Sequence, residues 1–178
     1  MSSPCDPAYA PAGDVGVALM AIDSRLKAIY DGQAGANSEQ QQLMDQFTAS
    51  LGPEEANDVV DGACTLIYMF MQWLRMTYEE HDKDVIEYVV PGFVASMRMM
   101  PKSIRPEVIP TMVGLVVAAG TGLSPSLWRK QYGDWTGDEM NPLEATALLL
   151  AEHINRLTGD RDFAARMVTE ALSAANQD

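Results

Sequence analysis

Residues 141–159 read NPLEATALLLAEHINRLTG, and this stretch decides the fold class. Proline at its second position, Glu144 in the first turn and glycine at its end bracket a run in which Leu143, Ala147, Leu150, Ala151, Ile154 and Leu157 share one face. That spacing follows the 3.6-residue period of a helix, whereas a half-buried strand would alternate every second residue. Outward from this segment, nearly every apolar run after Gly13 keeps the same period, and no strand–turn–strand unit interrupts it. The sequence therefore predicts an all-α protein, a compact single-domain helical bundle of about seven to eight helices. It should close in a C-terminal antiparallel helix hairpin, because the helices expected over 142–158 and 160–175 meet at Gly159 with almost no linker.

The first helix is expected from Asp14 to about Tyr30, with Val15, Ala18, Leu19, Ile22, Leu26 and Ile29 on one face. Ser38 can cap a short second helix carrying Leu43, Phe47 and Leu51, stopped by Gly52. Pro53, Glu54 and Glu55 open a third helix, running to about Glu80, with acidic side chains at the positive end of its dipole. Two apolar stripes mark it as central: Val60, Ile67, Phe70, Met71 and Leu74 form one, and Leu66, Met69, Trp73 and Met76 the other. A fourth helix, capped by Asp82 or Asp84, keeps its period through Pro91, so it is either one kinked helix or two short ones broken at Pro91 and Gly92. After a connector at 101–106, a fifth helix ends at Gly120 to Gly122, with Gly114 and Ala118 spaced for close approach of a neighbour. Ser124 and Pro125 then cap and begin a short sixth helix. Residues 1–13 hold three prolines and no apolar run, and read as a flexible N-terminal tail ahead of a single all-helical domain at 14–178.

Composition bounds the function. With 47% hydrophobic residues and few aromatics, the core must draw on aliphatic side chains and on the 12 methionines. A net charge of -13 repels a phosphate backbone, so no nucleic-acid partner is expected. Polar residues interrupt both of the most apolar stretches, which excludes the run of ~20 apolar residues that a membrane helix needs. Cys5 and Cys64 provide neither a disulfide framework nor metal-ligand spacing, and the leading segment lacks the basic start of a secretory signal, so the expected setting is cytoplasmic. No phosphate loop, dinucleotide fingerprint or nucleophile signature occurs, and no cofactor is implied. His81 lies among Glu79, Glu80, Asp82 and Asp84 without metal-site spacing; His153 lies beside a buried stripe, where proton transfer would require a partner in reach.

The most unusual local feature is electrostatic. Between Arg98 and Lys130 stand Arg98, Lys102, Arg105, Arg129 and Lys130 against Glu107 alone. Arg98, Arg105, Arg129 and Lys130, edged by Trp128, Tyr132 and Trp135, form a candidate site for an anion or an acidic partner; alternatively, these charges neutralise acidic helices of the same molecule. A second candidate is an apolar pocket lined by Met69, Trp73, Phe93 and Met97. Three function classes follow: a non-enzymatic regulatory or protein-interaction module, a helical small-molecule sensor or carrier, and an enzyme without a recognisable motif. A homodimer is expected if one chain cannot cover both stripes of the third helix together with Trp128 and Trp135.

Overall fold

A computed structural model describes residues 3–32 and 52–176. Seven α-helices, joined in places by short 3₁₀ turns, make up the regular structure among them, with no strand: α1 (Val15–Tyr30), α2 (Pro53–Glu79), α3 (Val85–Arg98), α4 (Ile109–Gly120), α5 (Pro125–Lys130), α6 (Met140–Thr158) and α7 (Phe163–Ala175). The short helix expected between Ser38 and Gly52 lies outside the described residues. No helix among those described is long and apolar enough to cross a membrane.

Helix α2 is the axis of the bundle. At about 1.5 Å per residue its 27 residues extend roughly 40 Å, and α1, α4 and α6 pack along it. Leu66, Ile67, Phe70, Met71 and Leu74 are fully enclosed, so both predicted stripes contribute to one core. Met69 and Trp73 are partly buried against that core, and Trp128 and Trp135 pack on its edge. The apolar surface on which a homodimer was expected is thus largely covered within one chain, with Met76 the exposed exception.

Local chemistry sets most boundaries. Asp14 accepts from Val17 N at 3.0 Å, Asp84 from Ile86 N at 2.9 Å and Ser124 from Leu127 N at 3.2 Å, each satisfying an otherwise unpaired first-turn donor. Helix α3 runs unbroken through the exposed Pro91. Two predicted stripes end early: Ile29 and Leu157 are each 47% exposed. The start of α6 also differs from expectation. Thr136 and Glu139 make a capping box, and a 3₁₀ turn at Gly137–Glu139 feeds the helix before Asn141 is reached.

Gly159 ends α6 in the left-handed conformation (φ 67°) and turns the chain into α7. Buried Asn155 fastens this hairpin, its amide donating to Arg161 O (2.8 Å) and Tyr30 Oη (3.1 Å) while its carbonyl accepts from Ala164 N (2.9 Å). The leading segment, read from sequence as a flexible tail, is placed against the bundle over its described residues. Cys5 is buried and its carbonyl accepts from Ser124 N at 2.8 Å; Ala12 O accepts from Thr65 Oγ1 at 2.7 Å. Gly13 (φ 69°) then crosses α2 at Gly62, where a Cβ on either glycine would strike the other segment's backbone. Backbone pairing and this glycine–glycine crossing hold a segment that has no hydrophobic period of its own.

Candidate functional site

The segment from Met97 to Ile104 begins in the last turn of α3 and crosses the surface toward α4. Its two ends are anchored because Met97 and Ile104 are almost fully buried. Between them the backbone folds back on Met100, whose carbonyl accepts from Ser103 N (3.1 Å) and Ile104 N (2.9 Å). Pro101 and Pro106 stiffen the path further by fixing φ. On this turn Arg98, Met99, Lys102 and Arg105 all face solvent, and Met99 is 83% exposed. Arg98 also closes α3, where a cation offsets the negative end of the helix dipole. Arg105 reaches Asp138 at 3.5 Å, but both side chains are mostly exposed, so the pair is weak and solvent-screened.

The other half of the basic island is directed inward. Arg129 is 6% exposed. Its Nε and Nη2 bond both oxygens of Glu139 at 2.7 and 2.5 Å, and Nη1 and Nη2 donate to the carbonyls of Gly133 and Asp134 at 3.0 Å. The guanidinium also lies 5.0 Å from the Trp135 ring centre. Four of its five N–H donors are engaged by the same chain, which leaves little with which to hold a ligand. The hydrogen bond from Arg129 holds the Glu139 carboxyl below the ordinary carboxylate range; burial opposes this, and the Thr136 backbone and hydroxyl assist it. Lys130 approaches Asp61 at 3.6 Å, and buried Asp61 accepts a 2.6 Å bond from Ser126 Oγ. Trp128 closes over Gly114, where a Cβ would collide with its ring, and meets Tyr132 edge-on at 5.1 Å. Internal neutralisation therefore describes Arg129 and Lys130, while Arg98 and Arg105 remain at the surface with Lys102.

The four residues expected to line an apolar pocket have separate settings. Met97 is enclosed, Trp73 packs on Phe163 of α7 at 5.3 Å, and Met69 is partly buried against the core. Phe93 borders a groove between α3 and α6. Of the two histidines, His81 is exposed in the turn between α2 and α3, whereas His153 lies in that groove with its Nε2 2.9 Å from Tyr78 Oη. Sequence reasoning passed over Tyr78 and Met99: the first meets its partner 75 residues away, and the second resembles any other helical methionine. No family model, curated protein or solved structure matches the chain significantly.

Proposed function

We propose that this protein is a non-enzymatic interaction module that docks an acidic partner protein on the turn carrying Arg98, Met99, Lys102 and Arg105. One observation carries the reading: Arg98, Lys102 and a highly exposed Met99 share a short turn that buried Met97 and Ile104 hold in place, with Arg105 immediately after it. In a chain of net charge -13, this turn is a local reversal of sign. Such a reversal attracts an acidic surface at long range, and the flexible, polarisable Met99 side chain then supplies apolar contact to an irregular partner. Anchoring matters because a pre-formed turn loses less conformational entropy on docking than a free one. Two free, buried thiols fit a cytoplasmic, reducing setting for this module.

Photo-crosslinking tests the reading. A benzophenone residue replacing Met99 should capture a discrete acidic protein in cells of the source, and a control placed at exposed Met20 on α1 should not. Reversing Arg98 and Lys102 to Glu should abolish that capture while the melting temperature falls by only a few degrees, since solvent-facing substitutions change stability by about 0.5 kcal/mol and loss of the cation at the end of α3 adds about 0.3–1 kcal/mol. Equal capture at Met99 and Met20, or capture indifferent to the charge reversal, would refute the module.

A further inference from the structure

The groove between α3 and α6 has a volume of about 300 Å3, at the small end of pockets that take organic ligands. Two sequence features open it. Gly92 leaves a gap on α3, with nothing within 4 Å of where a Cβ would stand. Facing it, α6 repeats groove-lining residues at Leu149, His153 and Arg156, positions that share one helix face. The lining divides by chemistry: Val89, Phe93, Leu149 and Leu150 are apolar, while Ser96, Glu152, His153 and Arg156 are polar, the last two able to donate hydrogen bonds.

Those donors are prepared but incompletely used. Tyr78 Oη and His153 Nε2 are 2.9 Å apart; against a neutral imidazole the phenol is the stronger acid, giving an arrangement in which Tyr78 donates and Nε2 accepts. The neutral imidazole then carries its proton on Nδ1. Neutrality is favoured because burial, and secondarily the Arg156 charge, push the His153 pKa down. Tyr78 is itself fixed by stacking on Tyr88 at 5.6 Å, and Lys83 covers the Tyr88 ring at 5.1 Å. Exposed Arg156 meets half-buried Glu152 through Nε at 2.9 Å, a pair that occupies one of its five N–H donors. Glu152 is thereby compensated, and the groove presents no net negative charge in a strongly acidic protein.

We infer that this groove binds a small organic carboxylate, its apolar body on Phe93 and Leu149 and its carboxylate accepting from Arg156 and His153 Nδ1. Glu152, the carboxylate of the groove lining, is paired with Arg156, so an amine would have to compete with that arginine, and a wholly apolar ligand would bury the His153 and Arg156 donors unpaired. The site is separate from the cationic turn, and its test does not depend on that turn.

The probe is 4-phenylbutyrate, titrated into the full chain at pH 7 and followed by ligand-observed NMR and calorimetry. Saturable binding is expected, weakened roughly tenfold by Arg156→Gln, since a charge-assisted contact is lost. The uncharged 4-phenylbutanamide should also bind roughly tenfold more weakly than the acid. Gly92→Leu should remove binding by projecting a side chain into the groove, without loss of helical content, because the position of its Cβ is open and leucine favours helix. Equal affinity for acid and amide, unchanged affinity in Arg156→Gln, or full binding by folded Gly92→Leu would each overturn the assignment. So would the absence of saturable binding up to about 10 mM, beyond the ~1 mM affinity expected of a minimal ligand.

Discussion

Arg129 and Lys130 are neighbours of like charge that burial sets apart. Removing the Arg129 side chain would strand Glu139, whose carboxylate is enclosed and has Arg129 and Thr136 as its partners. Arg129→Ala should therefore cost about 3–5 kcal/mol in urea denaturation, the penalty typical of breaking a buried pair from one side. Lys130→Ala should cost less than about 1 kcal/mol, because its partner lies 3.6 Å away and the lysine is half exposed. The pair also sets a pH dependence. Glu139 has a lowered pKa in the folded state, first because Arg129 hydrogen-bonds it. Its contribution is therefore complete above the unfolded value of about 4.3 and disappears as the pH falls through the folded value. Glu139→Gln should lower the melting temperature near neutrality and flatten part of the decline below about pH 4; an unaltered acid limb in that variant would show that other carboxylates govern it.

At the scale of elements, three glycines mark where helices approach closely, and their neighbours rank them. A Cβ at Gly62 would collide with the Asp14 carbonyl and the Val15 nitrogen, which are backbone and cannot turn aside. At Gly114 it would meet the ring of Trp128, and at Gly120 the chain ends of Ile86 and Met71. Alanine substitutions should therefore destabilise in the order Gly62, Gly114, Gly120. We expect about 3 kcal/mol or more at the first and the smallest loss at the last, where the colliding atoms are the ends of flexible side chains that can turn aside. Thermal melts of the three variants check the order. The Gly114 approach was legible because small residues spaced along an apolar helix have few other uses, and helix ends were legible wherever proline, glycine or a capping side chain stood at them. Thr136 and Glu139 were overlooked for a physical reason: their capping box precedes a 3₁₀ turn, so the helical period begins only after the cap has acted.

Whole-molecule relationships were the least legible, since periodicity reports a residue's face and not what that face meets. Lys130 pairs with Asp61 across α5 and α2, and Tyr78 with His153 across α2 and α6; neither separation leaves a local pattern. The leading segment is the clearest case, because extended, proline-containing chain carries the same composition whether it is free or docked. Here it closes one side of a cavity of about 230 Å3, with Pro7, Ala10 and Pro11 opposite Cys64, Tyr68 and Pro125. Burial raises the pKa of the Cys64 thiol well above its ordinary value, and a protonated thiol is a poor nucleophile. Deleting residues 1–12 should expose this wall of α2 while sparing the helices packed behind it. In a Cys5→Ser background, Cys64 in the full chain should react slowly with a disulfide reagent at pH 8, and deletion should speed labelling by an order of magnitude or more as water reaches the thiol. Circular dichroism would confirm that the helices persist, and the melting temperature should fall as the bonds to Ser124 N and Thr65 Oγ1 are lost. Labelling equally slow in both chains, with helical content intact, would mean that α2 and α5 shield Cys64 unaided and that the leading segment contributes nothing to closing that side of the core.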